Sequence, residues 1–247
     1  NNQAERSIHF SYEMVALSPR TCVELGIELS EEDKKRPYVE VSGRKGLGVK
    51  ADDLIDKLAD NAFAQASASR NASMPEADRR RVASQIAVAA LRYFMLKYTR
   101  NTVIAFDFQE ALSFTGESGP YVQYAAVRAS NILRNVEAQL GIKGSTSMAV
   151  PDAGTHLTSA EDLWQWILTA SKMESAIARA VAAGEPAHAA RYAFQVAQAF
   201  ANFYDNYRVL EEKDESKRAM LVWVTAYFRQ QLQRTLDVLG IDIPDFM

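Results

Sequence analysis

The sequence predicts a mainly α protein, with a small mixed α/β piece at the front and then a helix bundle of five or more members. Two observations carry this. Short aromatic and aliphatic stretches suited to strands are confined to the first forty or so residues, whereas from Pro75 onward apolar residues recur at helical spacing. Helix start and stop residues (Pro120, Gly141, Ser159, Gly184, Pro186, Gly240) also punctuate the second part. A chain of 247 residues holds one large domain or two modest ones. Its hydrophobic fraction of 48% and charged fraction of 24% are those of a globular protein, not a disordered one.

Taken in order, residues 7–17 (SIHFSYEMVAL) read as one or two strands. A polar helical or loop insert follows and ends at Pro37. Residues 38–41 (YVEV) alternate as a short strand and run into a glycine-punctuated loop, SGRKGLGVK, at 42–50. Asp52 or Asp53 is the expected N-cap of a helix to about Ala68. Within 76–100, Val82, Ile86, Ala89, Ala90, Tyr93 and Lys97 lie near helical spacing and predict a core-facing stripe. Pro120 suits the first turn of a helix through Leu140, which Gly141 ends. Residues 141–158 are rich in Gly, Ser, Thr and Pro and read as a long surface loop. Ser159 is the expected N-cap of the next helix, with Asp162 in the capping-box place and Gly184 closing it. Pro186 opens another, to about Leu210. A last helix is expected from about Glu215 to Leu239, with Gly240 just past its end. No internal repeat is visible.

Composition excludes several classes of function. A net charge of −3 argues against holding nucleic acid by bulk charge, but leaves a local basic face open. The single cysteine, Cys22, forms no internal disulfide and reads as a structural residue in a reducing, cytoplasmic setting. His9, His156 and His188 are scattered without ligand spacing, so no metal site is expected. No apolar run approaches the ~20 residues that span a bilayer, and no signal peptide opens the chain, so no membrane partner is expected. The opening Asn1-Asn2-Gln3 lacks Met and suggests a piece of something longer.

Three stretches together carry a family resemblance. YVEVSGRKGLGVKADDLID (38–56) resembles the arginyl-tRNA synthetase version of the class I signature loop, which in most class I enzymes reads KMSKS. FDFQEALSFTGESGPYVQYAAVRASNIL (106–133) looks like that family's G-x-x-x-PYxQYAxxR segment. AFANFYDNYRVL (199–210), followed by LDVLGIDIPDFM (236–247), is similar to the family's closing region, which ends LLGI-x-x-P-E-x-M. The resemblance implies that residues 1–70 are the C-terminal end of a Rossmann-type catalytic domain. It further implies that residues 75–247 form an all-helical anticodon-binding domain of the DALR type. It implies an ATP-dependent ligase that charges tRNA-Arg with arginine, using ATP with Mg2+ in the intact enzyme, and acting as a monomer. No HIGH-like tetrapeptide occurs, so this chain alone is expected to be inactive and to bind no cofactor tightly.

The signature loop has a physical rationale. Amino-acid activation places negative charge on the leaving pyrophosphate, and cations with backbone N–H groups on a glycine-flanked loop stabilise it. Ser42, Gly43, Arg44, Lys45 and Gly46 supply a hydroxyl, two adjacent cations and two hinges, and are the candidate catalytic residues. Laying Ser42 on the central serine of KMSKS puts Glu40 where the first lysine belongs and Gly43-Arg44 where Lys-Ser stands. Arg44 and Lys45 both remain open for the lysine's role. The bland alternative is a solvated turn with two surface cations.

Single-stranded RNA loops are read by stacking bases on aromatic rings and Arg planes, with cations along the phosphates. Phe200, Phe203, Tyr204 and Tyr207 lie at i, i+3, i+4 and i+7, beside Arg208. Phe200 and Phe203 are expected in the core. Tyr204 and Tyr207 can bury a ring and still present a hydroxyl at the rim. Gln123, Tyr124 and Arg128 belong to the PYVQYAAVR helix; Gln123 either faces RNA or caps neighbouring backbone, and Arg128 meets either a carboxylate or a phosphate. Arg79, Arg80, Arg81, Arg92, Lys97 and Arg100 read as a solvated face or as a track for the tRNA elbow. Ile241, Ile243 and Phe246 are expected to pack the chain end on the bundle and so place Met247 and its carboxylate, which the family uses beside the anticodon pocket. Asp245-Phe246 stands where the family has Glu-Arg, so any contact of that basic residue is lost or replaced. Two other readings remain: a non-catalytic helical interaction module using Trp164 and Trp166, and the related helical domain of another synthetase, such as the glycyl or cysteinyl enzyme, or of another class I synthetase.

Overall fold

The structure is a computed structural model, and it describes residues 2–41, 48–67, 73–144 and 161–247. Strand β1 (Val15–Leu17) pairs in parallel with β2 (Ile104–Phe106), in the register Val15 to Ile104 and Leu17 to Phe106. Parallel strands need a long crossover, and here it holds α1 (Pro19–Glu24), α2 (Ala51–Ser67) and α3 (Glu76–Leu96). Ser18 and Asp107 follow the two strands and each caps the helix beginning there, α1 and α4 (Phe108–Ala111). The Ser18 hydroxyl donates to Asp107 Oδ2 at 2.7 Å, and the Phe108 N–H donates to Thr21 Oγ1 at 3.1 Å. These two bonds tie both helix starts into one polar knot.

The strand expectations need correcting. Only Val15–Leu17 of the 7–17 stretch forms a ladder, and 38–41 supplies a single antiparallel bridge, Leu17 to Val39. A strand exists only where its backbone finds a partner, and Ile8 and Tyr12 stand out 88% and 78% exposed. Conversely, β2 lies in a region where the strand signal of the sequence has largely disappeared. Its three residues are too few for alternation to register.

The helices follow their caps more faithfully, except at α2, which begins at Ala51 and so takes Asp52 and Asp53 into its first turn, where they favour the helix dipole instead of capping it. Helix α5 (Gly119–Leu140) starts with Ser118 Oγ accepting from the Tyr121 N–H, and stops at Gly141, whose φ of 68° is left-handed. Next come α6 (Glu161–Ala170), α7 (Met173–Ala183), α8 (Ala187–Asn206) and α9 (Glu215–Leu239). The expected Ser159 cap lies outside the described residues. The helix expected to run on to Gly184 is instead two, broken at Ser171-Lys172. The Tyr192 hydroxyl donates to the Ala170 carbonyl at 2.6 Å, which satisfies a C-terminal acceptor of α6 from a neighbouring helix.

Two hydrophobic cores result. One is the bundle interior, built on α5, α8 and α9 with Leu163 and Ala170 of α6 and Met173 of α7. The other joins Leu17, Cys22, Leu54 and Leu58 to Phe106 and Phe108. Helix α3 serves both, giving Ala89 and Tyr93 to the first and Ile86, Ala90 and Phe94 to the second. The two cores are therefore joined through α3. The buried Tyr93 hydroxyl donates to the Ala190 carbonyl of α8 at 2.8 Å, so α3 is hydrogen-bonded as well as packed to the bundle.

Two predictions follow from this packing. A Cβ on Gly119 would overlap the Ala89 carbonyl of α3, so Gly119→Ala should destabilise the fold by ~1–3 kcal/mol, as overpacking does, in urea unfolding. The Tyr98 phenol is pushed up to about 12 by burial, then by Glu110 and Glu117. Its folded value is raised, so its contribution to stability is complete below about pH 10 and is lost as pH climbs through about 12. Tyr98→Phe should therefore lose less stability than the parent chain between those two values.

Candidate nucleic-acid interface

Helix α5 turns Tyr124, Arg128, Asn131 and Asn135 to one side, at i, i+4, i+7 and i+11, while Val122, Ala125, Ala126, Ala129 and Val136 fill the core behind them. The C-terminal end of α8 brings Tyr204 against this face. The Arg128 guanidinium lies 3.8 Å from the Tyr204 ring centroid and 5.7 Å from that of Tyr124, and Arg208 stands 5.8 Å from Tyr204. Phe114 meets Tyr124 edge-on at 6.5 Å and 89°. A line of rings and cations, Phe114–Tyr124–Arg128–Tyr204–Arg208, therefore runs across the surface. Phe114 is 41% and Tyr124 38% exposed, so the rings are reachable. Beside it, between α5 and the end of α8, a cavity of about 150 Å3 is lined by Ile132, Asn135, Tyr204, Tyr207, Arg208 and Glu211.

Among the described residues, Arg128 makes no hydrogen bond or ion pair; its neighbours are rings. The cations of α3 and the turn after it differ. Arg80 pairs with Glu76 at 2.7 Å, Arg81 with Asp245 at 3.2 Å, Lys97 with Glu110 at 2.6 Å and Arg100 with Glu185 at 3.2 Å. Arg79 donates to Ser67 Oγ at 2.6 Å, and both it and Arg80 lie over the Phe63 ring. Most of that basic stretch is thus engaged within the protein.

The remaining sequence candidates divide. Phe200 and Phe203 are core residues, as their spacing predicts. Tyr207 stacks on Phe203 at 5.6 Å and meets Trp166 edge-on at 6.5 Å, which leaves its ring half-buried at the rim of the bundle. It does not continue a helical stripe, because α8 ends at Asn206 and Tyr207 is extended (φ −124°, ψ 120°). The helix expected to reach Leu210 is one turn shorter. Trp164 is exposed, and Trp166 packs on the bundle core.

Of the two readings of Gln123, the structure shows the backbone one and corrects the RNA-facing one: the residue is 0% exposed and does not reach the surface. Its Nε2 donates to the Asp242 carbonyl at 2.6 Å and to the Gln85 carbonyl at 3.3 Å, using both N–H bonds of the amide on backbone. Met247 is half-buried, and with Ala62, Val82, Ile86 and Phe114 it lines an apolar cavity of about 240 Å3. The closing residues do not all pack on the bundle as expected: Ile241 and Ile243 do, whereas Phe246 and Met247 pack on the second core. Ser42, Gly43, Arg44, Lys45 and Gly46 lie outside the described residues, while Val41 and Val49 on either side pack on the second core. Phe114 and Asn135 escaped the sequence reading. Phe114 is a lone aromatic in a turn, and only the period running from Tyr124 through Arg128 points to Asn135.

No helix among the described residues is long and apolar enough to cross a membrane, and no group of three or more His, Cys, Asp or Glu side chains gathers there as metal ligands would.

A helical bundle presenting rings and cations on one face is an arrangement suited to binding an RNA loop, and the chain belongs to the family described as the DALR anticodon binding domain, which residues 122–247 match. Along almost its whole length it is similar to arginyl-tRNA synthetases. It is 30% identical to the arginine–tRNA ligase of Pyrococcus furiosus over 247 residues, which is 99% of this chain and 39% of that protein. It is 34% identical to the Clostridium perfringens arginine–tRNA ligase over 207 residues, 84% of this chain and 35% of that one. The solved Thermus thermophilus arginyl-tRNA synthetase superposes with a TM-score of 0.72 at 28% identity, over 99% of this chain and 36% of the other. The chain thus spans between about a third and two-fifths of the length of the relatives it matches.

Proposed function

We propose that this chain is the anticodon-reading and signature-loop portion of an arginine–tRNA ligase, with tRNA-Arg as its macromolecular ligand. The observation that carries this is Arg128, a cation set between Tyr124 and Tyr204 with no protein anion to neutralise it among the described residues. An unpaired guanidinium flanked by two rings provides stacking surface for bases and charge for a phosphate in one place. Tyr204 and Arg208 extend that surface, Tyr207 supports it from the rim, and Met247 reaches it through Phe114. A protein-interaction surface is less well supported, since Trp166 is committed to the core and leaves only Trp164 outward.

Residues 1–70 are assigned to the end of a catalytic domain and 75–247 to the helical domain, with α3 packed into both cores. In the intact enzyme, a monomer acting in the cytoplasm, ATP would supply the activating phosphoanhydride. Ser42, Gly43, Arg44, Lys45 and Gly46 would hold the departing pyrophosphate. Either Arg44 or Lys45 serves as the principal cation. Mg2+ would accompany the ATP phosphates.

Gel-shift titration with tRNA-Arg and an unrelated tRNA at two salt concentrations tests the reading; equal and undetectable affinity for both would sink it. Tyr204→Ala should weaken tRNA-Arg binding by ~1–3 kcal/mol if its ring stacks on a base. Arg128→Gln should shallow the salt dependence by roughly 0.7–0.9 of one charge. Arg80→Gln should leave the slope unchanged, because Glu76 already holds that guanidinium.

A further inference from the structure

Residues 241–247 cross from one core to the other, and each step of that path is fixed by a separate contact. Gly240 adopts a left-handed φ of 66°, and the Ile241 N–H returns to the Leu236 carbonyl at 2.8 Å, turning the chain off the end of α9. Ile241 is then buried in the bundle core. At Asp242 the backbone carbonyl receives the buried Gln123 amide at 2.6 Å. At Asp245 the carbonyl receives Arg134 Nη2 at 2.8 Å, and the carboxylate lies 3.2 Å from Arg81. Phe246 and Met247 finally pack on the second core, with Met247 on the wall of the cavity it shares with Phe114.

We infer that Gln123 is a positioning residue for RNA binding: it acts through residues 241–247 to hold Met247 at the Phe114 end of the aromatic line, without touching RNA itself. Three features separate it from the surrounding contacts. It sits on α5 immediately before Tyr124, so a single helix carries both a ring of the interface and the clamp on the segment that borders it. Both its N–H bonds are spent on carbonyls, from α3 (Gln85) and from the 241–247 segment (Asp242), which fixes the segment relative to α3 as well as α5. It is also fully buried, whereas the Arg81–Asp245 pair is exposed to solvent and correspondingly weak. Arg134 provides a second, surface hold on the same segment.

The inference rests on Met247 bordering the RNA site, and a double-mutant cycle on the full chain separates the two ideas. The Kd for tRNA-Arg is measured for the parent chain, Gln123→Met, Met247→Ala and the double variant, with circular dichroism checking the fold. Gln123→Met, which removes the hydrogen bonds to Asp242 and Gln85, and Met247→Ala, which removes a packing contact, should each weaken binding by on the order of tenfold. The double variant should be no weaker than the worse single, because a released segment no longer places Met247. The salt slope for Gln123→Met should match the parent, since no phosphate contact is lost. Losses that multiply in the double variant, or a Gln123→Met chain that binds like the parent, would overturn the positioning role. If Met247→Ala alone changes nothing, Met247 leaves the site and the inference falls with it, while binding by Tyr204 and Arg128 stands. Should Gln123→Met misfold, Arg134→Met tests the same coupling from the surface: non-additivity with Met247→Ala supports it, and additivity overturns it.

Discussion

The close approach of α5 to α3 is the contact on which the rest of the structure depends. It is possible because the crossing is made of small residues: Gly119 faces the Ala89 carbonyl so closely that no Cβ fits. Ala125, Ala126 and Ala129 continue the buried side of α5, and Ala190, Ala193 and Ala197 line the α8 side of the same core. Helices that approach this closely gain dispersion contacts along their length and lose rotational freedom about their axes. With α5 fixed in rotation, the outward direction of Tyr124 and Arg128 and the inward direction of Gln123 are settled together. The Tyr93 hydroxyl bond to the Ala190 carbonyl adds a directional constraint between α3 and α8 to this otherwise non-directional packing.

This arrangement shows how a chain of net charge −3 can carry a candidate site for a polyanion. What matters is which cations remain unneutralised, and where. Along α3 and the turn beyond it, carboxylates from four different places in the chain hold Arg80, Arg81, Lys97 and Arg100. On α5, among the described residues, no carboxylate pairs with Arg128, and the Tyr124 and Tyr204 rings lie beside its guanidinium. A guanidinium over rings keeps its donors available, because stacking uses the face of the group and leaves its edge free.

Helix ends were legible in the sequence at most of the chemical signals that mark them, though Asp52 and Asp53, expected as N-caps, lie inside the first turn of a helix that begins at Ala51. Asp214 caps α9 through the Lys217 N–H, Gly240 ends it in the left-handed region, and the expected span Glu215–Leu239 is the observed one. Where the signal is tertiary, the reading fails. The break between α6 and α7 depends on a tyrosine hydroxyl from α8, and β2 exists because β1 lies beside it. The helix α8 falls short of Leu210 because Tyr207 turns to stack between Phe203 and Trp166. Within the site, Tyr204 and Arg128 were identifiable as candidates by residue type and by resemblance. Their contact with each other was not, because seventy-odd residues separate them along the chain.

By itself the sequence determined the helical character of the C-terminal part, most of its helix boundaries, and the family. Each of these follows from local patterns: periodicity, caps, and short motifs in a set order. Only the tertiary structure decided which polar side chains stay free. Gln123 and Tyr124 are adjacent residues of one motif, yet one is sealed between two backbone carbonyls and the other stands at the surface. A helix turns about 100° per residue, so neighbours in sequence face different surroundings, and those surroundings are supplied by α3, α8 and residues 241–247 from distant parts of the chain.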